Sequence, residues 1–204
     1  MTKGKDLKEP LRNYIATRLG SGFLLIACGL PSSGKSAATR LVAELTGYPI
    51  LRTDLIRREL LKSEDVFDET AASNMEKRTI VYEEMFKYAD KILRSSQGLV
   101  LDATFITQSL RKRAAEIAVR HNLSLIILET VCPEEVALKR IRTRTRESSE
   151  SNALTEQAYF NNKRLFEEVD LDDLKKSFPT LTITHLVVDT GREFPDWYVV
   201  KEKV

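Results

Sequence analysis

Short apolar runs alternate along this chain with longer segments in which apolar residues recur every three or four positions. The runs have the length of buried strands, and the longer segments have the spacing of amphipathic helices. The predicted strands lie at Phe23–Cys28, Ile50–Arg52, Leu99–Asp102, Leu123–Thr130 and Thr182–Val188. Strands that alternate with helices indicate a parallel sheet in an α/β domain.

The predicted helices fall between and around these strands. They cover Leu7–Leu19, a segment from Ala37 to Leu45, Thr53–Leu61, Asn74–Ser96, Thr107–His121, a segment that begins at Pro133 and runs through Ile141, and a segment from Leu154 or Thr155 to about Val169. In the first helix Leu7, Leu11, Ile15 and Leu19 share one face, which favours packing on the sheet; an interaction or dimer arm is the alternative. Residues 194–204, which include the only tryptophan, Trp197, are interpreted as a tail.

Composition limits the class of protein without identifying it. The 204 residues suggest one domain, and 42% hydrophobic with 30% charged residues is typical of a globular protein. Thirty-two basic residues against 30 acidic ones give a net charge of +2, so charge does not favour nucleic acid as a partner. No apolar segment reaches membrane-spanning length, the first residues are polar, and the two cysteines fit core thiols. We therefore expect a cytoplasmic protein, monomeric or homodimeric, with no membrane partner.

One local sequence pattern indicates a specific chemical function, the binding of phosphate groups. After the first strand the chain reads Gly29-Leu-Pro-Ser-Ser-Gly-Lys-Ser36, which is the P-loop pattern between a strand and a helix. Such a loop turns successive backbone N–H groups towards phosphate oxygens, and the helix that follows adds partial positive charge. Lys35 is then expected to reach the β- and γ-phosphates, and Ser36 to ligate Mg²⁺. The expected nucleotide-binding residues are Gly29, Pro31, Ser32, Ser33, Gly34, Lys35, Ser36 and Ala37.

Acidic residues follow two other strands. Asp54 comes directly after the second predicted strand, and Arg57 lies one helical turn later on the same face. A carboxylate at this edge of a parallel sheet can accept a proton from an attacking hydroxyl, or it can cap the helix. Asp102 ends the third strand, where it is expected to help hold Mg²⁺ or to bind the acceptor. Thr104 is a weaker candidate for a substrate contact.

Arginines alternate from Arg140 to Arg146 at the end of one predicted helix. Guanidinium groups on a mobile segment can stabilise a transferring phosphoryl group, although a solvated charged face is the commoner meaning of such a run. Arg140 and Arg144 share one helix face, and residues 142–156 are the expected lid. The basic helix with Arg111, Lys112 and Arg113 can border an anionic acceptor, but a solvated face is the preferred interpretation there.

Taken together, these motifs resemble the small P-loop kinases. The likeness rests on the P-loop, on Leu51-Arg-Thr-Asp54-Leu-Ile-Arg57, on Leu99-Val-Leu-Asp102-Ala-Thr-Phe105 and on the arginines after Pro133. The group includes polynucleotide 5′-kinase domains, gluconate and shikimate kinases, zeta toxins and chloramphenicol phosphotransferase. The chain looks most like the ATP-binding kinase-like domain that occurs fused to aminoglycoside-phosphotransferase-like domains. Two departures are Ser32, where many relatives have glycine, and Asn152, where relatives often have an acid.

The resemblance implies a three-layer P-loop fold with a five-stranded parallel sheet, in the order 2-3-1-4-5, and a helical lid. It implies that Asp54 is the general base, that Arg57 binds the acceptor, and that Asp102 is the acid at the metal. It also implies a lid arginine on the γ-phosphate, which is Arg140 or Arg144.

The sequence thus predicts an ATP- and Mg²⁺-dependent phosphotransferase with a hydroxyl acceptor. A sugar, an antibiotic, a nucleotide sugar and a nucleic acid 5′-hydroxyl all remain open, and the near-neutral charge disfavours long nucleic acid. The alternative from another class is a nucleotide-dependent regulatory ATPase without a dedicated acceptor.

Overall fold

Seven strands form one sheet in the part of the chain that the structure describes. The structure is a computed structural model and describes residues 4–60, 75–143 and 155–204. The strands are β1 Lys5–Pro10, β2 Phe23–Cys28, β3 Ile50–Arg52, β4 Leu99–Asp102, β5 Ser124–Val131, β6 Ile183–Asp189 and β7 Tyr198–Lys203. Across the sheet they stand in the order β1-β7-β6-β5-β2-β4-β3.

Five of these strands, β2 to β6, pair in parallel. Counted among themselves along the chain, they stand in the order 2-3-1-4-5. The full sheet differs from the predicted five-stranded one, because β7 pairs antiparallel with β6 and β1 pairs antiparallel with β7. The predicted fold class, an α/β P-loop fold, is confirmed.

Eight helices connect or flank the strands in the described ranges. They are α1 Leu11–Arg18, α2 Lys35–Thr46, α3 Thr53–Leu60, α4 Met75–Leu93, α5 Gln108–Arg120, α6 Glu134–Arg142, α7 Glu156–Leu165 and α8 Leu171–Ser177. No helix in the described ranges is long and apolar enough to cross a membrane.

Strand β2 shows why the sheet lies between two helical layers. All six of its residues are buried, and alternate side chains point to opposite faces. Leu24 and Ile26 join a core cluster with α4 and α5, whereas Phe23 and Leu25 join a second cluster with α1 and α2. A strand covered on both faces must be continuously apolar, which is the pattern that the sequence carries.

The N-terminal prediction was wrong in its first part. Residues 7–10, predicted as the start of a helix, belong to the edge strand β1 (Lys5–Pro10), and the helix of this segment is Leu11–Arg18. Pro10 has no N–H to donate, which an edge strand tolerates. Leu11 and Ile15 are buried and Leu7 and Leu19 pack on the same cluster, so the four leucine and isoleucine side chains do face the core.

The C-terminal third also differs in two places. The predicted tail contains β7, and Trp197 is buried beside it. The helix expected to reach Val169 ends at Leu165, where the backbone of Phe166 becomes extended. A further helix, α8, then begins after Asp170, whose side chain accepts a hydrogen bond from Asp173 N at 2.9 Å.

Candidate functional site

The loop from Gly29 to Gly34 joins β2 to α2 at the carboxyl edge of the parallel strands. Gly29 and Gly34 have φ values of 135° and 90°, which L side chains rarely adopt. A Cβ on Gly29 would lie 2.6 Å from the carbonyl oxygen of Thr130, so the loop also needs glycine for close packing. Lys35 Nζ donates to the Leu30 carbonyl at 2.7 Å, which curls the lysine back over the loop.

Ser32 and the start of α2 fit an anion. Ser32 has a φ of 62°, so this residue adopts the left-handed conformation that glycine adopts most easily. Its hydroxyl is buried and has no hydrogen-bond partner among the described residues. No side chain caps the amino end of α2, where Gly34 is the N-cap. A phosphate group would supply the acceptors that these donors need.

Two threonines that the sequence analysis did not select hold the other side of the loop. The Thr130 and Ser33 hydroxyls lie 2.6 Å apart, and the Thr190 hydroxyl donates to the Ser33 carbonyl at 2.8 Å. Thr130 is in β5 near its carboxyl end and Thr190 follows β6 directly. The rule that carboxyl ends of parallel strands line one edge would have found both, had it been applied to these two strands as well.

Arg140 lies against this loop. Its guanidinium donates to the carbonyls of Ser32 at 3.3 Å, Thr190 at 2.6 Å and Arg192 at 3.1 Å. The side chain therefore links the end of α6 to the P-loop and to the turn after β6. Its expected contact with a γ-phosphate stays a prediction.

Asp102 and Ser36 meet where a metal ion would be held. The Ser36 hydroxyl is hydrogen-bonded to the Asp102 carboxylate, and Arg52 Nε lies 3.7 Å from Asp102 Oδ2. Burial raises the pKa of Asp102, although the Ser36 hydrogen bond and the charges of Lys35 and Arg52 act against it. The described residues contain no group of three or more His, Cys, Asp or Glu side chains placed to hold a metal. Ser36 and Asp102 nevertheless provide the hard oxygen ligands that suit Mg²⁺ alongside phosphate oxygens.

Asp54 and Arg57 follow β3, which lies on the side of β4 away from the P-loop strand β2. Residue Arg52 of β3 is in register with Asp102 of β4, and α3 begins at the next residue. Asp54 is half-buried in the first turn of α3, and Arg57 is buried one turn later. β4 therefore separates the strand that precedes Asp54 from the P-loop strand, but all three strands end at this edge.

Tyr82 connects α4 to the end of β4. Its hydroxyl lies 3.3 Å from Thr104 Oγ1 and accepts a hydrogen bond from Phe105 N at 2.9 Å. The Thr104 carbonyl in turn accepts from Gly29 N at 3.3 Å. These contacts tie α4 to the P-loop through the residues that follow Asp102.

The interpretation of the basic helix was wrong for Arg111. This arginine is fully buried rather than part of a solvated face or an acceptor site. It donates to the carbonyls of Phe105, Glu168 and Glu167 at 3.0, 2.9 and 2.6 Å. Arg111 therefore links the loop after β4 to the loop between α7 and α8, which is a structural role.

The expected lid lies mostly outside the described residues. Arg144 and Arg146 fall in residues 144–154, so their predicted roles are not addressed by the structure. At the boundaries of that segment, Arg142 Nε forms an ion pair with Glu156 Oε1 at 2.6 Å.

A P-loop between β2 and α2, with one acid after β3 and another at the end of β4, defines the P-loop kinase class of nucleotide-binding fold. A family model described as an AAA domain, AAA_33, matches residues 24–169. The chain belongs to this family of P-loop kinases.

Two curated relatives match this chain over the same number of residues, and both are named as uncharacterized proteins. The chain is 28% identical over 135 residues to an uncharacterized protein of Mycobacterium tuberculosis strain H37Rv, and equally to one of Mycobacterium bovis. The match covers 64% of this chain and 27% of each relative, so the chain spans about a quarter of the length of the curated relatives it matches.

Solved structures share the fold at low identity. A gluconokinase from Sinorhizobium meliloti superposes with a TM-score of 0.54 at 17% identity, over 84% of this chain and 85% of that one. A sugar kinase from Janibacter gives 0.57 at 16% identity, over 82% and 84%. Kti12 of Chaetomium thermophilum, solved with ADP-AlF3, gives 0.58 at 19% identity, over 78% and 87%.

Proposed function

We propose that this chain is an ATP- and Mg²⁺-dependent phosphotransferase that moves the γ-phosphoryl group to a hydroxyl of a small-molecule or nucleotide acceptor. The observation that carries the proposal is the convergence of three strand ends. A phosphate-binding loop follows β2, a buried acid bonded to the P-loop serine ends β4, and an Asp-x-x-Arg pair follows β3. The kinase fold of the family supports the reaction class.

In the proposed reaction each residue of the candidate site has its own role. Asp54 orients the acceptor hydroxyl and takes its proton as the acceptor oxygen bonds to the γ-phosphorus. The bond from that phosphorus to the β,γ-bridging oxygen breaks, and ADP leaves with the electron pair. Lys35 and the loop amides neutralise charge on the phosphates, and Arg57 binds the acceptor. Arg140 and Arg144 are the arginines proposed for the transferring group.

Ser36 and Asp102 would hold the Mg²⁺. When bound, the ion would offset the negative charge of the phosphates. The raised pKa of Asp102 fits this role, because a buried carboxylate without enough compensating charge gains most from a cation.

The test is acceptor-dependent ATP consumption by the full chain over a panel of hydroxyl compounds, with Lys35→Ala as the blank. We expect Asp54→Asn to abolish transfer while nucleotide still binds. Binding can be followed through Trp197, the only tryptophan, because its ring lies against the P-loop residue Gly34. Glu59→Gln, on the exposed part of the same helix, is the matched control and should leave turnover unchanged.

The dependence of ATP consumption on the acceptor also distinguishes a kinase from the alternative, a regulatory ATPase. A kinase consumes ATP faster when its acceptor is present, whereas a switch hydrolyses slowly whatever hydroxyl compound is added. Unchanged turnover in Asp54→Asn would remove the general-base assignment. ATP consumption that no acceptor accelerates would favour the regulatory alternative.

A further inference from the structure

Two arginines beside the proposed acceptor site have buried N–H groups for which the described residues offer no acceptor. Arg57 of α3 and Arg78 of α4 each expose only 8% of their surface. Nε and Nη1 of Arg57 and Nη1 of Arg78 have no hydrogen-bond partner in the described ranges. Buried polar groups are nearly always paired, so three guanidinium nitrogens in one place without a partner among the described residues indicate a missing ligand.

The two side chains belong to one cluster. Helices α3 and α4 pack on each other, and the positive charge of Arg57 adds to burial in lowering the pKa of Arg78. Arg78 is held by Asn162 of α7, whose Oδ1 accepts from Nη2 at 2.9 Å. The Asn162 amide is itself oriented by a bond from its Nδ2 to the Ala158 carbonyl at 2.7 Å. Asn162 is neutral, so it positions Arg78 without compensating its charge.

Side-chain and backbone contacts connect this cluster to the proposed transfer site. Arg78 and Tyr82 are one turn apart on α4, and the Tyr82 hydroxyl lies 3.3 Å from Thr104 Oγ1. Thr104 follows Asp102 and bonds to Gly29 of the P-loop through its carbonyl. Arg57 shares a face of α3 with Asp54.

Two arginines that serve as structural links differ in one respect; Arg111 is buried and Arg140 is half-buried. Arg111 is fully buried and satisfies its guanidinium with backbone carbonyls, and Arg140 bonds to three carbonyls. When this fold uses an arginine as a structural link, it provides acceptors. Arg57 Nε and Nη1 and Arg78 Nη1, by contrast, have no acceptor among the described residues.

We propose that Arg57 and Arg78 together bind an oxyanion, a phosphate or carboxylate, carried by the acceptor. The acceptor class is then an anionic hydroxyl compound rather than a neutral one. Planar guanidinium forks match both kinds of oxyanion, and a buried pair of positive charges selects strongly against a neutral group. Arg78 is a substrate-binding residue that neither the motifs nor the family match identifies. This inference rests on the proposed function for the identity of the ligand as acceptor.

The first experiment measures anion binding without turnover. The full chain, with Mg²⁺ and a non-hydrolysable ATP analogue, is titrated with inorganic phosphate or malonate at constant ionic strength by calorimetry. We expect saturable binding that weakens roughly tenfold or more in Arg78→Met, since a charge-assisted hydrogen bond contributes at least that much. Arg94→Met removes an exposed arginine just beyond α4 and should bind as the wild type does. Binding that does not depend on Arg78 overturns the inference.

Thermal unfolding of the ligand-free protein distinguishes a binding role of Arg78 from a structural one, because the two roles predict different changes in the unfolding temperature. Because Arg78 is buried and has no acidic partner among the described residues, Arg78→Met is expected to raise the unfolding temperature or leave it unchanged. A clear loss of stability would mean that Arg78 is a structural link, which contradicts the proposal.

The second experiment compares ATP consumption with neutral, carboxylated and phosphorylated members of matched acceptor pairs. We expect turnover with anionic members and its loss in Arg78→Met. Equal turnover with neutral members, unaffected by Arg78→Met, overturns the anionic acceptor and leaves the phosphotransferase intact. Arg78-dependent anion binding with no transfer to any acceptor overturns the proposed function and leaves the oxyanion site intact.

Discussion

Trp197 closes one side of the P-loop through direct packing on Gly34. A Cβ on Gly34 would lie 2.7 Å from Cη2 of the indole ring, and Trp197 is 3% exposed. The ring is fixed by Nε1, which donates to the Arg192 carbonyl at 2.9 Å. The start of α2 is therefore held by a residue from the other end of the chain.

Gly34→Ala is predicted to destabilise the fold and to weaken nucleotide binding. The new methyl group meets the indole ring, and the φ of 90° adds about 1–2 kcal/mol of backbone strain. Gly47→Ala has the strain without the clash, since φ is 72° and nothing lies within 4 Å. Gly20→Ala has neither and should change stability by less than about 0.5 kcal/mol.

Denaturant unfolding of the three variants separates the two effects. The expected order of destabilisation is Gly34→Ala, then Gly47→Ala, then Gly20→Ala. Equal losses for Gly34→Ala and Gly47→Ala would show that the indole ring moves without cost.

Thr190→Val should loosen the P-loop from the sheet. The hydroxyl is buried and donates to the carbonyls of Ser33 at 2.8 Å and Val131 at 3.0 Å. Valine keeps the shape but leaves both carbonyls without this donor, at a cost of about 1–3 kcal/mol. Thr17→Val removes an exposed hydroxyl bonded to the Asn13 carbonyl and is the control. If both variants unfold at the same denaturant concentration, the Thr190 bond adds no stability.

Arg111→Met is predicted to be among the most destabilising substitutions in the chain. It removes a charge that several backbone carbonyls satisfy inside the core, and we expect a loss of about 3–5 kcal/mol. Arg120→Met, on the exposed side of the same helix, should cost less than about 1 kcal/mol. Equilibrium unfolding in urea measures both, and similar midpoints would contradict the structural role.

Local patterns explain why much of the fold could be predicted from the sequence. The run Phe23–Cys28 is apolar at every position because both faces of β2 are covered, and the P-loop follows within a few residues. The end of β4 at Asp102 was likewise found, because an apolar run ended in an acid there. Each of these features is encoded by residues that are neighbours in the sequence.

Features that depend on distant partners could not be predicted in this way. The strand Lys5–Pro10 pairs with Tyr198–Lys203, whereas Leu7 within it continues the helical spacing of the apolar residues that follow. The sequence alone places Trp197 in a tail, and only the structure shows that its ring packs on Gly34. Arg78 lies on a different helix from Arg57, and only the packing of α3 on α4 shows that both are buried.

The charge on Asp102 is predicted to reduce the stability of the ligand-free protein. Burial raises the pKa of this carboxyl group, so the folded state favours its protonated form. The resulting penalty is present at neutral pH and disappears as the pH falls below the unfolded value of about 4. Asp102→Asn should therefore raise the unfolding temperature at neutral pH, by an amount that shrinks towards acid.

Asp90 provides a control of opposite sign for this experiment. Hydrogen bonds from Arg120 and His121 lower the pKa of Asp90 to about 2, so its charge stabilises the fold above its unfolded pKa. Asp90→Asn should lower the unfolding temperature at neutral pH, and the difference should fade as the pH falls towards the lowered pKa. Thermal unfolding by circular dichroism across this pH range measures both variants. A loss of stability in Asp102→Asn that matches Asp90→Asn would mean that Arg52 and Lys35 outweigh the burial of Asp102, and that a bound cation is not needed to offset its charge.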